Sequence, residues 1–293
     1  MPELPEAETI VRGLRPAAVG RRIDEVEVVH ADVLIAPAAR LRKTAAGRRI
    51  TGVARRAKNV LLELDDGSVI WINLGMTGAV LPLPRPRGAA NARTRYADAA
   101  THPTVIFRLD RGLDLVFDDS RRFGTVQHLD QAASAARSAT FGPEPLGDDF
   151  TPDGLWRTLK ASRSPIRSWL LDQRRLAGVG NIYASEALFL AGIHPARRTN
   201  TVRRDEAAAL HRAIREVLAA SIRAGGTTIR DYRNAEGGAG EYGRQLRVYD
   251  REGSPCTWCS RPIRRLVLSN RSTFFCPACQ PRRAAPRKSP TAP

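Results

Sequence analysis

Several residue types and patterns are scarce in this sequence, and each scarcity argues against a class of protein. No hydrophobic run approaches the roughly 20 residues of a membrane-spanning helix. The acidic start MPELPEAE lacks the basic and then apolar pattern of a secretory signal peptide. Only four of the 293 residues are cysteines, which does not fit a disulfide-rich secreted scaffold. We therefore expect a protein of the cytoplasm, with no membrane partner and roughly two domains.

Acidic residues are too few to balance the basic ones. The chain has 47 Lys and Arg against 30 Asp and Glu, a net charge of +17 and an isoelectric point near 11.0. Most of this excess lies after residue 150. This excess of positive charge favours a polyanionic partner, above all nucleic acid, because basic side chains that neutralise phosphates release the counterions bound there. A GC-rich genome also favours arginine, and only four of the basic residues are lysines, so charge alone leaves the partner open.

The hydrophobic pattern changes along the chain. Early in the chain, short segments rich in Val, Ile and Leu are separated by turn signals, which predicts an antiparallel β-sandwich or barrel after one helix. From about residue 153 the spacing becomes helical. The fold class is therefore α+β. The expected helices are 5–15, 155–161, 166–173, 182–191 and 204–224, and the expected strands are 22–30, 60–64, 69–74, 104–109 and 113–117.

Proline and glycine indicate the connections between these segments. A proline-punctuated loop is expected at 82–88. The expected domains are a β domain at 1–135, a linker at 136–152, a helical domain at 153–249 with a glycine-rich mobile loop at 225–243, a metal-binding module at 250–283 and a disordered tail at 284–293.

The four cysteines form two C-x2-C pairs. Two such pairs separated by 16 residues can present four sulfurs to one tetrahedral Zn²⁺ ion. The segment 261–275 between them predicts the hairpin of a zinc ribbon. Disulfides or free thiols are the alternative. With four protein ligands the ion has no open coordination position, so its role is structural. The predicted ligands are Cys256, Cys259, Cys276 and Cys279.

Nucleophiles are also few. The ribbon uses every cysteine, and none of the five histidines lies in a recognisable catalytic pattern. Amines remain, and removal of Met1 would expose the nitrogen of Pro2. Its pKa of about 7.7–8.0, against about 10.4 for lysine, leaves far more of it unprotonated at neutral pH than of a lysine. Glu3 and Glu6 can face the same side of a first helical turn and supply protons. The alternative is that these glutamates only favour a helix N-terminus.

The order of several separated motifs resembles the bacterial formamidopyrimidine-DNA glycosylase family. The resemblance covers nearly the whole chain before the tail. It implies a β-sandwich, a helix-two-turn-helix domain and a zinc finger that together grip damaged duplex DNA. The motifs are MPELPE at the start, RRAK at 55–58, LGMTG at 74–78, SRRFG at 120–124, GPEPL at 142–146, GVGNIYASEALFLAGIHP at 178–195, GGTT at 225–228 and NRSTFFC in the ribbon.

The resemblance also implies catalytic roles. Pro2 would attack C1′ of the damaged nucleotide and form a Schiff base, after which β- and δ-elimination cut the strand. Glu3 would act as general acid with support from Glu6, and Lys58 would hold a phosphate and assist elimination. A solvated surface lysine is the alternative for Lys58.

Further residues would hold DNA by the same resemblance. Asn181 and Arg271 would pinch the backbone and help to extrude the base, and the loop at 225–243 would close over it. Met76, Arg121 and Phe123 would fill the space that the base leaves. Without the resemblance, Met76 and Phe123 would be predicted as core residues.

The sequence departs from the family pattern at three places. Asn73 stands where histidine commonly precedes LGM, Asn59 where tyrosine follows RRAK, and Gly240-Glu241-Tyr242 where GYF is usual. We expect weaker phosphate binding from Asn73. The PELPE start is typical of the branch that acts on oxidised purines, so 8-oxoguanine and formamidopyrimidines are the expected lesions, and a monomer is the expected state. The alternatives are a non-catalytic paralogue that binds damaged DNA and a zinc-ribbon RNA-binding protein.

Overall fold

A computed structural model describes residues 2–86, 96, 99–228 and 238–282. The chain divides into two compact units: Met1–Gly142 with Ala219–Gln245, and Pro143–Leu218 with Leu246–Pro293. Among the described residues, no helix has the length and apolar character needed to cross a membrane. The predicted tail at 284–293 lies outside the described residues, as does the part of the glycine-rich loop at 229–237.

The first unit begins with helix α1, Leu4–Ala18. Pro5 is tolerated in the first turn, where its missing N–H would have no helical partner. The Glu6 carboxylate reaches back to the backbone nitrogen of Glu3, as in a capping box. Apolar residues at helical spacing, including Ile10 and Leu14, are fully buried. The early helix predicted at 5–15 is therefore confirmed, with one more turn.

Two four-stranded antiparallel sheets follow, and most of their buried apolar residues form one core cluster with α1. This confirms the predicted sandwich. One sheet has the order β1-β6-β7-β5 and the other β2-β3-β4-β8. The strands are β1 Ile23–Val28, β2 Ile50–Arg56, β3 Asn59–Leu64, β4 Val69–Asn73, β5 Ala79–Pro84, β6 Pro103–Leu109, β7 Leu113–Asp118 and β8 Thr125–Leu129.

The loop predicted at 82–88 is wrong in its first part, because β5 continues through Pro82 to Pro84. This strand lies at the edge of its sheet, and β7 is its only pairing partner among the described residues. An edge strand tolerates proline because the missing N–H can face away from the partner. The sequence analysis also missed strands β2 and β8 and the helices α2 (Ala38–Ala45) and α3 (Gln131–Ala139), whose local patterns are short and mixed.

The second unit contains the predicted helices. They are α4 Pro152–Lys160, α5 Ile166–Leu171, α6 Asn181–Leu190 and α7 Arg204–Arg223, the last of which continues into the first unit. Helix α6 is mostly apolar around its circumference and is buried along almost its whole length, Glu186 included. Strands β9 (Arg264–Leu268) and β10 (Arg271–Phe275) form the hairpin predicted between the cysteine pairs.

Candidate active site and metal centre

Residues 2–6 are buried, and one carboxylate holds this segment. Pro2 is buried, and Glu3 and Glu6 are each 1% exposed. The two oxygens of Glu6 accept hydrogen bonds from backbone nitrogens, Oε2 from Glu3 and Oε1 from Thr227, both at 2.8 Å. Thr227 lies in the predicted glycine-rich loop. Glu6 thus fixes the segment that carries Pro2 and Glu3 against the base of that loop.

Lys58 lies in the two-residue turn between β2 and β3 and is partly buried. The other turn residue, Ala57, has a φ of 53°, in the left-handed region. Arg56 anchors one side of the turn, since its guanidinium donates to the carbonyl oxygens of Ser138, Phe141 and Gly142 at 2.9–3.1 Å. The sequence placed Lys58 at a strand start, and it does precede β3 directly.

Met76, Arg121 and Phe123 lie on two neighbouring turns of the first unit. Met76 is 37% exposed and Phe123 is 57% exposed, so the alternative that they are core residues is wrong. The Arg121 guanidinium lies over the Phe123 ring, 4.7 Å from its centroid. The exposed Phe123 ring and the Arg121 guanidinium therefore form a cation–π pair at the surface.

A buried aspartate holds these two turns together. Asp119 accepts hydrogen bonds from the backbone nitrogen of Gly124 at 2.8 Å and from the hydroxyl of Thr77. Gly75 has a φ of 57°, and a side chain there would collide with the backbone at Gly124. The turns therefore approach each other at backbone distance, which only glycine permits. No local sequence pattern predicted the positioning role of Asp119.

In the second unit, Asn181 is the first residue of helix α6, and both the nitrogen and the oxygen of its side-chain amide form hydrogen bonds. Its Nδ2 donates to the carbonyl oxygen of Ser272 at 2.9 Å, and its Oδ1 accepts from the Arg167 guanidinium at 2.6 Å. Arg167 is fully buried and also donates to the carbonyl oxygen of Leu268 at 2.8 Å. Arg167 was not among the residues predicted from the sequence, although an arginine inside the apolar stretch IRSWLL is a signal of a buried, paired cation.

Arg271 stands beside the tip of the β9–β10 hairpin. Ser269 and Asn270 form the two-residue turn with φ values of 46° and 57°, and Arg271 follows as an exposed first residue of β10. The contacts of Arg167 and Asn181 hold both strands of this hairpin within the second unit. The structure thus presents the Arg271 side chain on a fixed support.

The four predicted metal ligands converge. Their Sγ atoms all lie within 4.8 Å of one another, and the Cys256–Cys279 and Cys259–Cys276 pairs are 3.9 and 3.5 Å apart. A tetrahedral Zn²⁺ ion with bonds of about 2.3 Å separates its sulfurs by about 3.8 Å, so the set fits one ion. Burial raises the pKa of Cys276 and Cys279, so zinc binding must displace their protons.

Buried side chains connect helix α6 and the segment after it to the ribbon and to the residues just before the ribbon. The Glu186 carboxylate accepts hydrogen bonds from the backbone nitrogens of Arg247, Val248 and Tyr249, each at 2.9 Å. The Gln280 amide donates to the carbonyl oxygen of Ile193 at 2.9 Å. The zinc ribbon and the helices therefore form one support within the second unit.

Family models match almost the whole chain. The formamidopyrimidine-DNA glycosylase N-terminal domain matches residues 1–126, the H2TH domain of the same glycosylase matches 141–233, and a zinc finger found in Fpg and IleRS matches 253–282. The chain belongs to the formamidopyrimidine-DNA glycosylase family. This confirms the resemblance, the helix-two-turn-helix and zinc-finger assignments and the prediction of a base-excision-repair DNA glycosylase with one structural zinc.

Individual glycosylases of this family are similar over their full length. The formamidopyrimidine-DNA glycosylase of Chloroflexus aggregans is 47% identical, with 96% of this chain and 98% of the relative covered. The crystal structure of MutM (Fpg) from Thermus thermophilus has a TM-score of 0.82 at 40% identity, covering 95% of this chain and 98% of that one. A Lactococcus lactis Fpg mutant bound to Fapy-dG-containing DNA has a TM-score of 0.86 at 32% identity, with coverages of 96% and 100%.

Proposed function

We propose that this glycosylase removes oxidised purines, 8-oxoguanine and formamidopyrimidines, from duplex DNA and then cuts the strand at the abasic site. It would act as a monomer on nucleoid DNA in the bacterial cytoplasm. Residues 1–135 would carry the chemistry, and 153–249 and 250–283 would hold the duplex. The observation that carries the proposal is the buried Pro2–Glu3 segment fixed by Glu6. The relatives of known structure that hold Fapy-dG or abasic-site DNA support this substrate class.

The proposed reaction uses the amine that remains when Met1 is removed. The Pro2 nitrogen bonds to C1′ of the extruded nucleotide while the bond from C1′ to the base breaks, and loss of a proton from nitrogen is balanced by protonation of the leaving base. Glu3 is the proposed general acid that opens the sugar and permits the Schiff base. Lys58 is proposed to hold the flanking phosphate and assist β- and δ-elimination.

The proposed DNA contacts are of two kinds. Met76, Arg121 and Phe123 would form a wedge that fills the space left by the extruded base, and Asn181 and Arg271 would form a clamp on the DNA backbone. Met76 and Phe123 would replace the stacking of the lost base, and Arg121 would donate to the base left unpaired. Asn181 and Arg271 would contact the backbone on either side of the lesion. The exposure of Met76 and Phe123 supports the wedge role, because a core residue could not reach a base stack.

Borohydride trapping tests the proposal. Duplex containing 8-oxoguanine opposite cytosine should give a covalent adduct that maps to residue 2. A chain with an extension that keeps the Pro2 nitrogen in a peptide bond should bind the duplex without trapping it, and Glu3→Gln should bind but excise slowly. Binding without adduct or cleavage by the unblocked chain would instead favour the non-catalytic paralogue. Preference for single-stranded RNA competitor would favour the RNA-binding alternative.

A further inference from the structure

Three hydrogen bonds in series connect two turns of the first unit through a pair of asparagines. Asn59 on β3 and Asn73 on β4 are directly opposite each other in the sheet. Asn59 Nδ2 donates to the carbonyl oxygen of Arg56 at 2.9 Å, and Asn73 Nδ2 donates to Asn59 Oδ1 at 3.0 Å. Asn73 Oδ1 then accepts from the backbone nitrogen of Gly75 at 3.0 Å. The series runs without interruption from Arg56 to Gly75.

The backbone at each end determines how both amides are oriented. The Arg56 carbonyl can only accept a hydrogen bond, so Asn59 must turn its NH₂ group toward it. The Gly75 nitrogen can only donate, so Asn73 must turn its oxygen toward it. Each amide then offers its partner the complementary group. Because Asn59 is 1% exposed, reversing either amide would leave like groups facing each other away from water.

The two turns that this series connects carry proposed functional residues. Arg56 and Asn59 flank Lys58, and Gly75 directly precedes Met76. Each turn contains a residue in the left-handed region, Ala57 at a φ of 53° and Gly75 at 57°. Such conformations persist when surrounding contacts hold them. The amide series supplies one such contact to each turn.

We propose that Asn59 and Asn73 are positioning residues that hold the Lys58 turn and the Met76 turn at a fixed separation during lesion excision. The inference rests on the proposed function for the roles of those two side chains. Displacement of a positioned group by about 1 Å can cost a large factor in rate, so a fixed link between phosphate contact and wedge has catalytic value. Neither asparagine needs to contact DNA for this role, and Asn73 already uses its oxygen and one amide hydrogen within the chain.

A double-mutant cycle tests the pair. Asn59→Leu and Asn73→Leu keep side-chain size, and each leaves the other amide with a missing partner. Each should slow single-turnover excision of 8-oxoguanine at saturating enzyme by about tenfold, and the double variant should be no slower than the slower single variant. Borohydride trapping at a preformed abasic site should change much less, since it needs no wedge for extrusion. Thr104→Val is the matched control, because it removes a buried 2.8 Å hydrogen bond to Phe117 in the other sheet.

Hydrogen exchange gives a readout that does not require activity. In Asn59→Leu, the backbone amide of Gly75 should exchange faster although its hydrogen bond is to Asn73, and Thr104→Val should leave it unchanged. Excision by both single variants at the parent rate, or losses that add in the double variant, would overturn the proposal. If the parent chain itself forms no adduct, the proposed function fails, and an unchanged Gly75 exchange rate would then refute the pair separately.

Discussion

The Glu6 carboxylate accepts a hydrogen bond from the backbone nitrogen of Thr227, 221 positions later in the chain, at 2.8 Å. The other oxygen of the same carboxylate holds the nitrogen of Glu3. One buried side chain therefore sets the spacing between the proposed nucleophile segment and the base of the loop proposed to cover the damaged base. Both donors are backbone N–H groups, which cannot rotate away as a side chain can, so the two hydrogen bonds fix the position of the carboxylate closely.

Glu6→Gln should destabilise the protein and slow excision. Glutamine offers one acceptor oxygen for two buried donors, so one N–H group faces an NH₂ group, at a cost of about 1–3 kcal/mol. Urea unfolding and single-turnover excision measure the two effects. Glu8→Gln on the same helix is the control, because the described hydrogen bonds of Glu8 come from the side chains of Arg12 and Arg55 rather than from backbone nitrogens. A Glu6→Gln variant as stable and active as the parent would contradict the assignment.

Met76→Ala and Phe123→Ala should reduce excision while leaving stability within about 0.5 kcal/mol, because exposed side chains contribute little to the core. Lost stacking in the DNA complex should cost about 1–3 kcal/mol per variant, seen as weaker binding to duplex with an abasic analogue. Ile35→Ala is the matched control, since Ile35 is 54% exposed elsewhere in the unit. Loss of stability equal to the loss of binding would refute the wedge role.

Arg167→Met should lower the affinity for DNA, because the Arg167 guanidinium supports Asn181 and the β9–β10 hairpin that carries Arg271. The variant leaves Asn181 Oδ1 and the Leu268 carbonyl without their guanidinium partner, which should also cost about 1–3 kcal/mol of folding stability. Fluorescence anisotropy at fixed salt measures the affinity. Arg204→Met serves as control because the Arg204–Asp153 pair is solvent-exposed. Unchanged affinity in the Arg167→Met variant would show that the buried guanidinium does not position the clamp.

Removal of zinc should abolish specific DNA binding. Without the ion, nothing draws the four cysteine sulfurs together, so the ribbon loses the constraint that links its two C-x2-C turns, and Arg271 loses part of its support. A strong chelator should therefore reduce affinity for abasic-analogue duplex, and added Zn²⁺ should restore it. Cys276→Ser should also reduce the affinity for this duplex, and added Zn²⁺ should not restore it. Retained binding with the metal demonstrably absent would contradict the structural role.

Acid should destabilise the second unit through Glu206. Burial alone would raise the pKa of Glu206, but hydrogen bonds from the Arg197 side chain and the Arg203 backbone lower it below its ordinary value of 4.5. The paired carboxylate therefore contributes stability above pH 4.5, and this contribution is lost as pH falls through the lowered pKa. Glu206→Gln should be less stable at pH 7 and show a shallower acid limb between about pH 5 and 3 in urea titrations. If the stabilities of the parent and of Glu206→Gln fell with pH in parallel, the proposed contribution of Glu206 would be refuted.

Much of the architecture could be predicted from local sequence. The α1 helix, the strands with strong Val and Leu content and the four helices of the second unit follow from periodicity, and two C-x2-C pairs predict a tetrahedral site because its geometry is set by short turns. Strands β2, β5 and β8 were not predicted. Strands β5 and β8 pair with strands that are distant in the chain, β7 and β4, and β2 pairs with its neighbour β3 but has a mixed sequence that contains a glycine and two arginines. Pro82 and Pro84 are compatible with a strand only because β5 is at an edge.

The sequence by itself determined which chemical groups this protein has: an amine near the start of the chain with glutamates beside it, four zinc ligands and an excess of basic charge. Only the tertiary structure decided that Met76 and Phe123 are exposed, that Arg167 is buried against Asn181, and that Asn59 faces Asn73. The physical reason is the distance along the chain over which each effect acts. Helical periodicity and turn chemistry act over a few residues, whereas exposure and hydrogen-bond pairing depend on which distant segments the core brings together.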